Sequence, residues 1–325
     1  MSPSWRGCWP SRRERMRRAV VLMNLGGPDS PAAVRPFLYN LFSDPAIVTL
    51  PAPLRKPLAW LIARRRSGVA GEIYAHLGGS SPLLANTEAQ ASALEAVLGA
   101  DTRCFIAMRY WHPLTEETVA AVKAWGPDEI VCLPLYPQYS TTTTGSSLAV
   151  WRREAGRQGL IAPMRAIESY PAAAGFIAAL AAAIGEMLAA VGDARLLLSA
   201  HGLPLKIVRA GDPYPRQIAE TAAAVAAALG RPGLDWRVCY QSRVGPLAWL
   251  GPSVDDEIRR AGADGVPVVA APISFVSEHS ETLVELDRDY RRLAESCGVP
   301  AYYRVRTVGT DPRFIAALAE LVNAA

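Results

Sequence analysis

Leu196-Leu197-Leu198-Ser199-Ala200-His201-Gly202-Leu203-Pro204 is an apolar run that gives way to a histidine and then a turn. A second stretch, Pro272-Ile273-Ser274-Phe275-Val276-Ser277-Glu278-His279-Ser280-Glu281-Thr282-Leu283, breaks from apolar to polar in the same manner, with a helix start behind it. Short apolar runs closed by turn residues read as strands buried on both faces. In an open parallel sheet the carboxyl ends of neighbouring strands face one crevice, and ligands bind there. With both runs in one sheet, His201 meets Glu278, His279 and Glu281 at that crevice.

The same alternation extends outward. Residues 19–24 (AVVLMN) form another apolar run, closed by Gly26-Gly27-Pro28. Ser30-Pro31 reads as an N-cap and first helical position, with Val34, Phe37, Leu38 and Leu41 following at helical spacing. Further strands are predicted at 104–108, 130–136, 195–200, 236–241 and 266–271. Helices are predicted at 115–125, 214–229, 253–261 and 279–296, and from 312 to the end. Repeated β-α alternation makes the fold class α/β, with parallel sheets flanked by helices. The Ala-rich tract 171–191 reads as a buried helix linking two halves. The expected division is a basic arm or mis-assigned start at 1–18, one α/β domain at 19–170, a second at 171–310, and a terminal helix at 311–325 packing back on the first. At 325 residues the chain is long enough for this, since one core seldom grows past ~250–300 residues.

Composition narrows the function classes. No window approaches the ~18 uninterrupted apolar residues of a membrane span; the 171–191 tract is broken by Gly175, Gly185 and Glu186. The net charge of +4 gives no case for nucleic acid. The five cysteines, Cys8, Cys104, Cys132, Cys239 and Cys297, are widely spread with no C-x-x-C pair. That fits a reducing compartment, the cytoplasm, and speaks against a disulfide frame or a structural zinc. Residues 1–18 are Arg-rich and lack the apolar core of a secretory signal; Met16 is a candidate true start. Neither G-x-G-x-x-G nor a Walker A sequence is present, so no nucleotide is indicated. The absence of G-x-S-x-G means that Ser199 beside His201 does not indicate a hydrolase. Residues 51–66 start irregularly at Pro51, Pro53 and Pro57, then run through Leu58-Ala59-Trp60-Leu61-Ile62 into Arg64-Arg65-Arg66. This is either an ordinary amphipathic helix or a lip for a membrane surface.

Few residues are left for chemistry. Of the four histidines, His76 and His112 read as structural, whereas His201 stands at a strand end. Glu281, Glu285 and Asp289 fall at i, i+4 and i+8, one acidic stripe on a helix. It is a solvated face, or a path for a divalent cation with imidazole at its inner end. The hydroxyl-rich stretch 138–147 reads as turn and N-cap chemistry, with a ligand carboxylate as the alternative.

These segments together resemble the ferrochelatase family. The matching stretches, in order, are Asn24-Leu25-Gly26-Gly27-Pro28, Arg109-Tyr110-Trp111-His112-Pro113-Leu114-Thr115, Tyr136-Pro137-Gln138-Tyr139-Ser140, Ser199-Ala200-His201, Gly211-Asp212-Pro213-Tyr214-Pro215, Gln241-Ser242-Arg243-Val244-Gly245-Pro246, Trp249-Leu250-Gly251-Pro252 and Ser277-Glu278-His279-Ser280-Glu281-Thr282-Leu283. The resemblance implies two Rossmann-like, chelatase-type domains around a porphyrin cleft, with Fe2+ and protoporphyrin IX as substrates. It implies His201 and Glu281 as paired metal-site residues, His279 as the neighbouring motif histidine, and Glu285 and Asp289 as an acidic path. Leu25, Arg66, Tyr74, Ser81, Arg109, Tyr110, Tyr136 and Trp249 fall where relatives line the macrocycle pocket or hold its propionates. Two positions depart from the family pattern. Glu278 stands where Asp is common, and Thr141 occupies a loop position that is cysteine in relatives carrying an iron–sulfur cluster, so no cluster and no permanently bound cofactor are expected. The rival expectations are a chelatase for another ring, such as coproporphyrin or a cobalt-accepting precursor, a non-catalytic porphyrin carrier, and a periplasmic-type metal-binding protein, which lacks its signal peptide here. Peripheral membrane contact is expected through residues 58–66.

Overall fold

A computed structural model describes residues 16–243, 245 and 247–325; nearly all of the N-terminal basic arm lies outside them. The first half runs β1 (Arg18–Asn24), α1 (Val34–Phe42), α2 (Ala52–Ala75), α3 (Leu83–Leu98), β2 (Thr102–Met108), α4 (Thr115–Trp125), β3 (Glu129–Pro134), α5 (Ser146–Gln158) and β4 (Met164–Ala166). After α6 (Ala174–Val191) come β5 (Arg195–His201), α7 (Leu205–Arg209), α8 (Tyr214–Leu229), β6 (Trp236–Gln241), α9 (Val254–Asp264) and β7 (Val268–Pro272). A π-helical segment, Glu281–Asp289, leads into α10 (Tyr290–Ser296), β8 (Tyr302–Arg304) and α11 (Pro312–Ala324).

The strands form two four-stranded sheets, in the orders β2-β1-β3-β4 and β6-β5-β7-β8, with every pairing parallel. The winding direction reverses at the first strand of each half, so the switch points lie at the carboxyl ends of β1 and β5. Register brings Asn24 level with Met108, and His201 level with Gln241. His201 therefore stands at the switch point of the second sheet.

Strand alternation assigns each side chain to a layer. Val20 and Leu22 of β1, and Leu196, Leu198 and Ala200 of β5, belong to one core that both sheets share. Ala19, Val21 and Met23 face a second cluster with Val119, Val122 and Trp151, while Leu197 faces a third with Ile258 and Tyr290. The shared core includes Phe176, Leu180, Ile184 and Leu188 of α6, with Ile218 of α8 and Phe314 and Leu318 of α11.

Three expectations need correction. The 174–191 helix is, by length and a mean hydropathy of 2.0, apolar enough to cross a membrane; the inward face just named accounts for part of that character by packing. Residues 52–75 are one continuous helix rather than an irregular start. Pro53 falls in the first turn, where its missing N–H would be unpaired anyway, and Pro57 is accommodated inside. The predicted helix 279–296 is π-helical over Glu281–Asp289. An i→i+5 coil has more than four residues per turn, so Glu281, Glu285 and Asp289 still follow one side.

Candidate active site

β5 ends in His201, whose position is fixed three times through its main chain and ring. Its N–H donates to Ser274 Oγ at 3.1 Å, its carbonyl accepts from the Tyr214 hydroxyl at 3.0 Å, and its ring Nδ1 lies 2.6 Å from the Gly202 carbonyl oxygen. A carbonyl only accepts, so Nδ1 carries a proton, and whenever the ring is neutral its lone pair is on Nε2. His279 repeats the device, with Nδ1 at 3.1 Å from the Ser277 carbonyl oxygen. Both Nε2 atoms point at one oxygen, Glu281 Oε2, at 3.6 Å from His201 and 3.8 Å from His279. That oxygen is buried and has no hydrogen-bond partner. Lone pairs on two nitrogens and an anionic oxygen converge on one small space, an arrangement that favours protons or a cation. Burial alone would raise the Glu281 pKa, but His201 and His279, whenever protonated, override it and bring the carboxyl down to about 2. Phe275 packs against both imidazoles, with ring centroids 6.4 Å from His201 and 4.6 Å from His279.

The acidic stripe does not act as one set. Glu285 Oε1 accepts from the Ser242 N–H at 2.8 Å and the Tyr290 hydroxyl at 3.2 Å, while Oε2 accepts from the Ser242 hydroxyl at 2.5 Å and Gln241 Nε2 at 3.3 Å. Burial, and then the charge of nearby Glu281, push the Glu285 pKa up. Asp289 is more exposed and pairs with Arg288 at 2.8 Å. Among the described residues, no group of three or more His, Cys, Asp or Glu side chains is arranged to hold a metal ion. Of the four expected metal residues, His201 and Glu281 are in direct apposition, Glu285 adjoins them electrostatically, and Asp289 is occupied by its arginine.

The opposite wall comes from the first half. Leu25, Tyr74, Tyr110 and Trp111 belong to one apolar cluster. The Tyr74 hydroxyl is near Ser280 and Glu281; burial first, and the Glu281 charge in addition, push its pKa up to about 12, against the Ser280 hydrogen bond. Tyr74 thus spans from α2 to Glu281. Gly27 packs so closely on Ser81 that a Cβ there would lie 2.5 Å from the serine Oγ. The Arg109 guanidinium lies over Tyr110, 4.8 Å from the ring centroid, and donates from Nη2 to Asp44 Oδ2 at 2.7 Å and from Nε to Ser146 Oγ at 2.8 Å. Asp44 also accepts from the Tyr110 hydroxyl at 2.7 Å. Tyr136 is buried beside this group, and its hydroxyl has no hydrogen-bond partner. Arg66 is exposed and lies 5.8 Å over Phe42. Trp249 packs beside Gly202, adjoining His201, with its indole N–H buried and without a partner. Two cavities, of about 290 Å³ around Met187 and Arg304 and about 410 Å³ around Arg195 and Arg231, lie elsewhere.

A protein-family model described as ferrochelatase matches residues 17–325. The chain belongs to the ferrochelatase family. It is 56% identical over 313 residues to a ferrochelatase of Caulobacter vibrioides, covering 94% of this chain and 89% of that protein. A ferrochelatase of Phenylobacterium zucineum is also 56% identical, over 94% of this chain and 90% of its own length. Among solved structures, the sirohydrochlorin chelatase SirB of Bacillus subtilis subspecies spizizenii, in complex with cobalt, shares the fold with a TM-score of 0.58 at 13% identity, over 95% of this chain and 94% of that one. As a ferrochelatase-family protein the chain is a metal-insertion enzyme of haem biosynthesis, with Fe2+ and a porphyrin as substrates.

Several neighbours of His201 and Glu281 carried no sequence signal of their own. Phe275, Gln241 and Ser242 lay inside quoted motifs, but nothing in their spacing marked them. Asp44 stands alone in sequence. His112, read as structural, forms a surface pair with Glu117 at 2.8 Å. The hydroxyl-rich loop is engaged by Asp212, which accepts from the Ser140 hydroxyl at 3.0 Å and from the Thr141 N–H at 2.8 Å and hydroxyl at 2.7 Å.

Proposed function

We propose that the chain inserts Fe2+ into protoporphyrin IX to give protohaem, the last step of haem biosynthesis. Supporting this is the convergence of His201 Nε2 and His279 Nε2 on the unpartnered Glu281 Oε2. Metallation exchanges two pyrrole N–H protons for one Fe2+. The macrocycle lies between the Leu25–Tyr110 wall and the His201 wall. His201 takes one pyrrole proton on Nε2, its Nδ1–H being held by the Gly202 carbonyl, and the other proton passes through the neighbouring carboxylates to water. Glu281 draws the cation to the ring nitrogens, with His279 directed at the same carboxylate oxygen. Glu285 forms the outer part of the cation's approach, and Asp289 joins it only when Arg288 releases it. Arg109, Tyr136, Trp249, Ser81, Tyr74 and Arg66 border the ring and its propionates, with Arg109 presenting the part of its fork that Asp44 and Ser146 leave free.

His201→Ala should lower turnover by roughly 10²–10⁴-fold, the usual share of a general base, while porphyrin binding, read by fluorescence, persists. Retained turnover would overturn the assignment. Competition between protoporphyrin and coproporphyrin tests the choice of ring, protoporphyrin being the expected winner. We also propose a division at residues 19–170 and 171–310, a cytoplasmic location, and peripheral membrane contact through α2. No iron–sulfur cluster is proposed, since Thr141 donates to Asp212 where a ligating cysteine would stand. Acid-labile sulfide in anaerobically purified protein would contradict that.

A further inference from the structure

The Gln241-Ser242 step at the end of β6 has no part in the chemistry above. Among the described residues, Ser242 alone is a non-glycine with a left-handed backbone, at φ 60°. A Cβ makes this conformation unfavourable, and it persists only where the surroundings over-determine it. Here they do. Ser242 gives both of its donors to the two oxygens of one carboxylate, N–H to Glu285 Oε1 at 2.8 Å and hydroxyl to Oε2 at 2.5 Å. Gln241 supports the same segment, its Nε2 donating to the Glu281 carbonyl at 3.1 Å and its Oε1 accepting from the Ser199 hydroxyl of β5 at 2.7 Å. The clamp is thus braced on the strand that ends in His201.

We propose that Ser242 is a positioning residue for metal entry, its strained backbone holding the Glu285 carboxylate in line behind Glu281 so that an incoming divalent cation meets one acid and then the other. Ser242 has one hydroxyl proton, and it goes to Glu285. Glu281 Oε2, by contrast, has no hydrogen-bond partner. The proposal rests on the iron-insertion reading. A mere loop tie makes a different prediction from an entry clamp, because a tie affects stability and both substrates together.

Ser242→Gly separates these. It relieves the backbone and removes the hydroxyl, so the melting temperature should hold or rise by a few degrees. The apparent KM for Fe2+ should rise about tenfold while that for porphyrin stays within about twofold. Ser242→Ala should show the same metal-selective loss with a lower melting temperature. Ser242→Asn, which tolerates the left-handed region and restores a side-chain donor, should recover part of the metal KM. Titration with Co2+ in the absence of porphyrin gives a readout independent of turnover, with about tenfold weaker binding expected in Ser242→Gly. An unchanged metal KM and Co2+ affinity, or equal losses toward metal and porphyrin, would overturn the proposal. Wild-type protein that binds Co2+ but metallates no porphyrin would overturn the iron-insertion reading itself, and with it the entry role.

Discussion

The Glu278 carboxylate is held by Arg304 Nη1 at 2.8 Å, the Thr307 N–H at 3.0 Å and the Thr282 hydroxyl at 2.6 Å. The extra methylene relative to aspartate therefore reaches a structural tie, one residue before His279. Burial raises its pKa, but Arg304, the threonine hydroxyl and the amide outweigh burial and keep it below the ordinary 4.5. A carboxyl depressed in the folded state stabilises above its unfolded pKa and loses that contribution as pH falls through the folded value. Glu278→Gln should lower stability by roughly 3 kcal/mol near pH 7, the low end for a broken buried pair, because Arg304 keeps Asp287 at 3.4 Å. The gap in melting temperature between wild type and variant should narrow as pH falls below the ordinary carboxylate range. A gap independent of pH would show that shape, not charge, carries the effect. Asp44→Ala should likewise cost about 3–5 kcal/mol by stranding the Arg109 charge, measured by urea unfolding. Sequence reading reached Arg109 through its motif but not Asp44, because a partner 65 residues away leaves no local pattern.

At the scale of elements, periodic apolar runs were enough to predict the main strands and the surface helices, since burial on one face writes itself into spacing. The π-coil was not legible: an i, i+4, i+8 acidic stripe fits both coils. The 52–75 helix was half legible, because proline signals a break regardless of whether its missing donor falls in a first turn. That helix exposes Leu54, Trp60 and Leu61, and Arg64 and Arg35 lie over the Trp60 ring at 5.5 and 5.3 Å. Apolar side chains among cations suit an anionic interface. Reversing Arg64, Arg65 and Arg66 to Glu should reduce sedimentation with anionic vesicles at least about hundredfold, at about 1 kcal/mol per basic residue. Binding unaffected by the reversal would remove α2 from any membrane role.

At the scale of the whole molecule, the two halves are tied by buried polar groups that no propensity argument finds. Gln90 of α3, fully buried, donates to the Val276 carbonyl at 3.1 Å and the Gly309 carbonyl at 2.9 Å, and accepts from the Ser277 hydroxyl at 2.9 Å. Asn86 reaches the Glu278 carbonyl at 2.9 Å. Gln90→Ala strands three buried groups and should cost about 2–3 kcal/mol, with turnover falling because the segment before His279 loosens. A variant as stable and as active as wild type by denaturant titration and iron-insertion assay would show those ties to be idle. The core that joins β1, β5, α6 and α11 has a further consequence for turnover. Side chains of both sheets pack in that one core, so parting the ends of β1 and β5 would expose apolar surface now buried. On the iron-insertion reading, a flat product is then expected to leave edgewise, past the coil bearing Glu281 and the strained turn at Ser242.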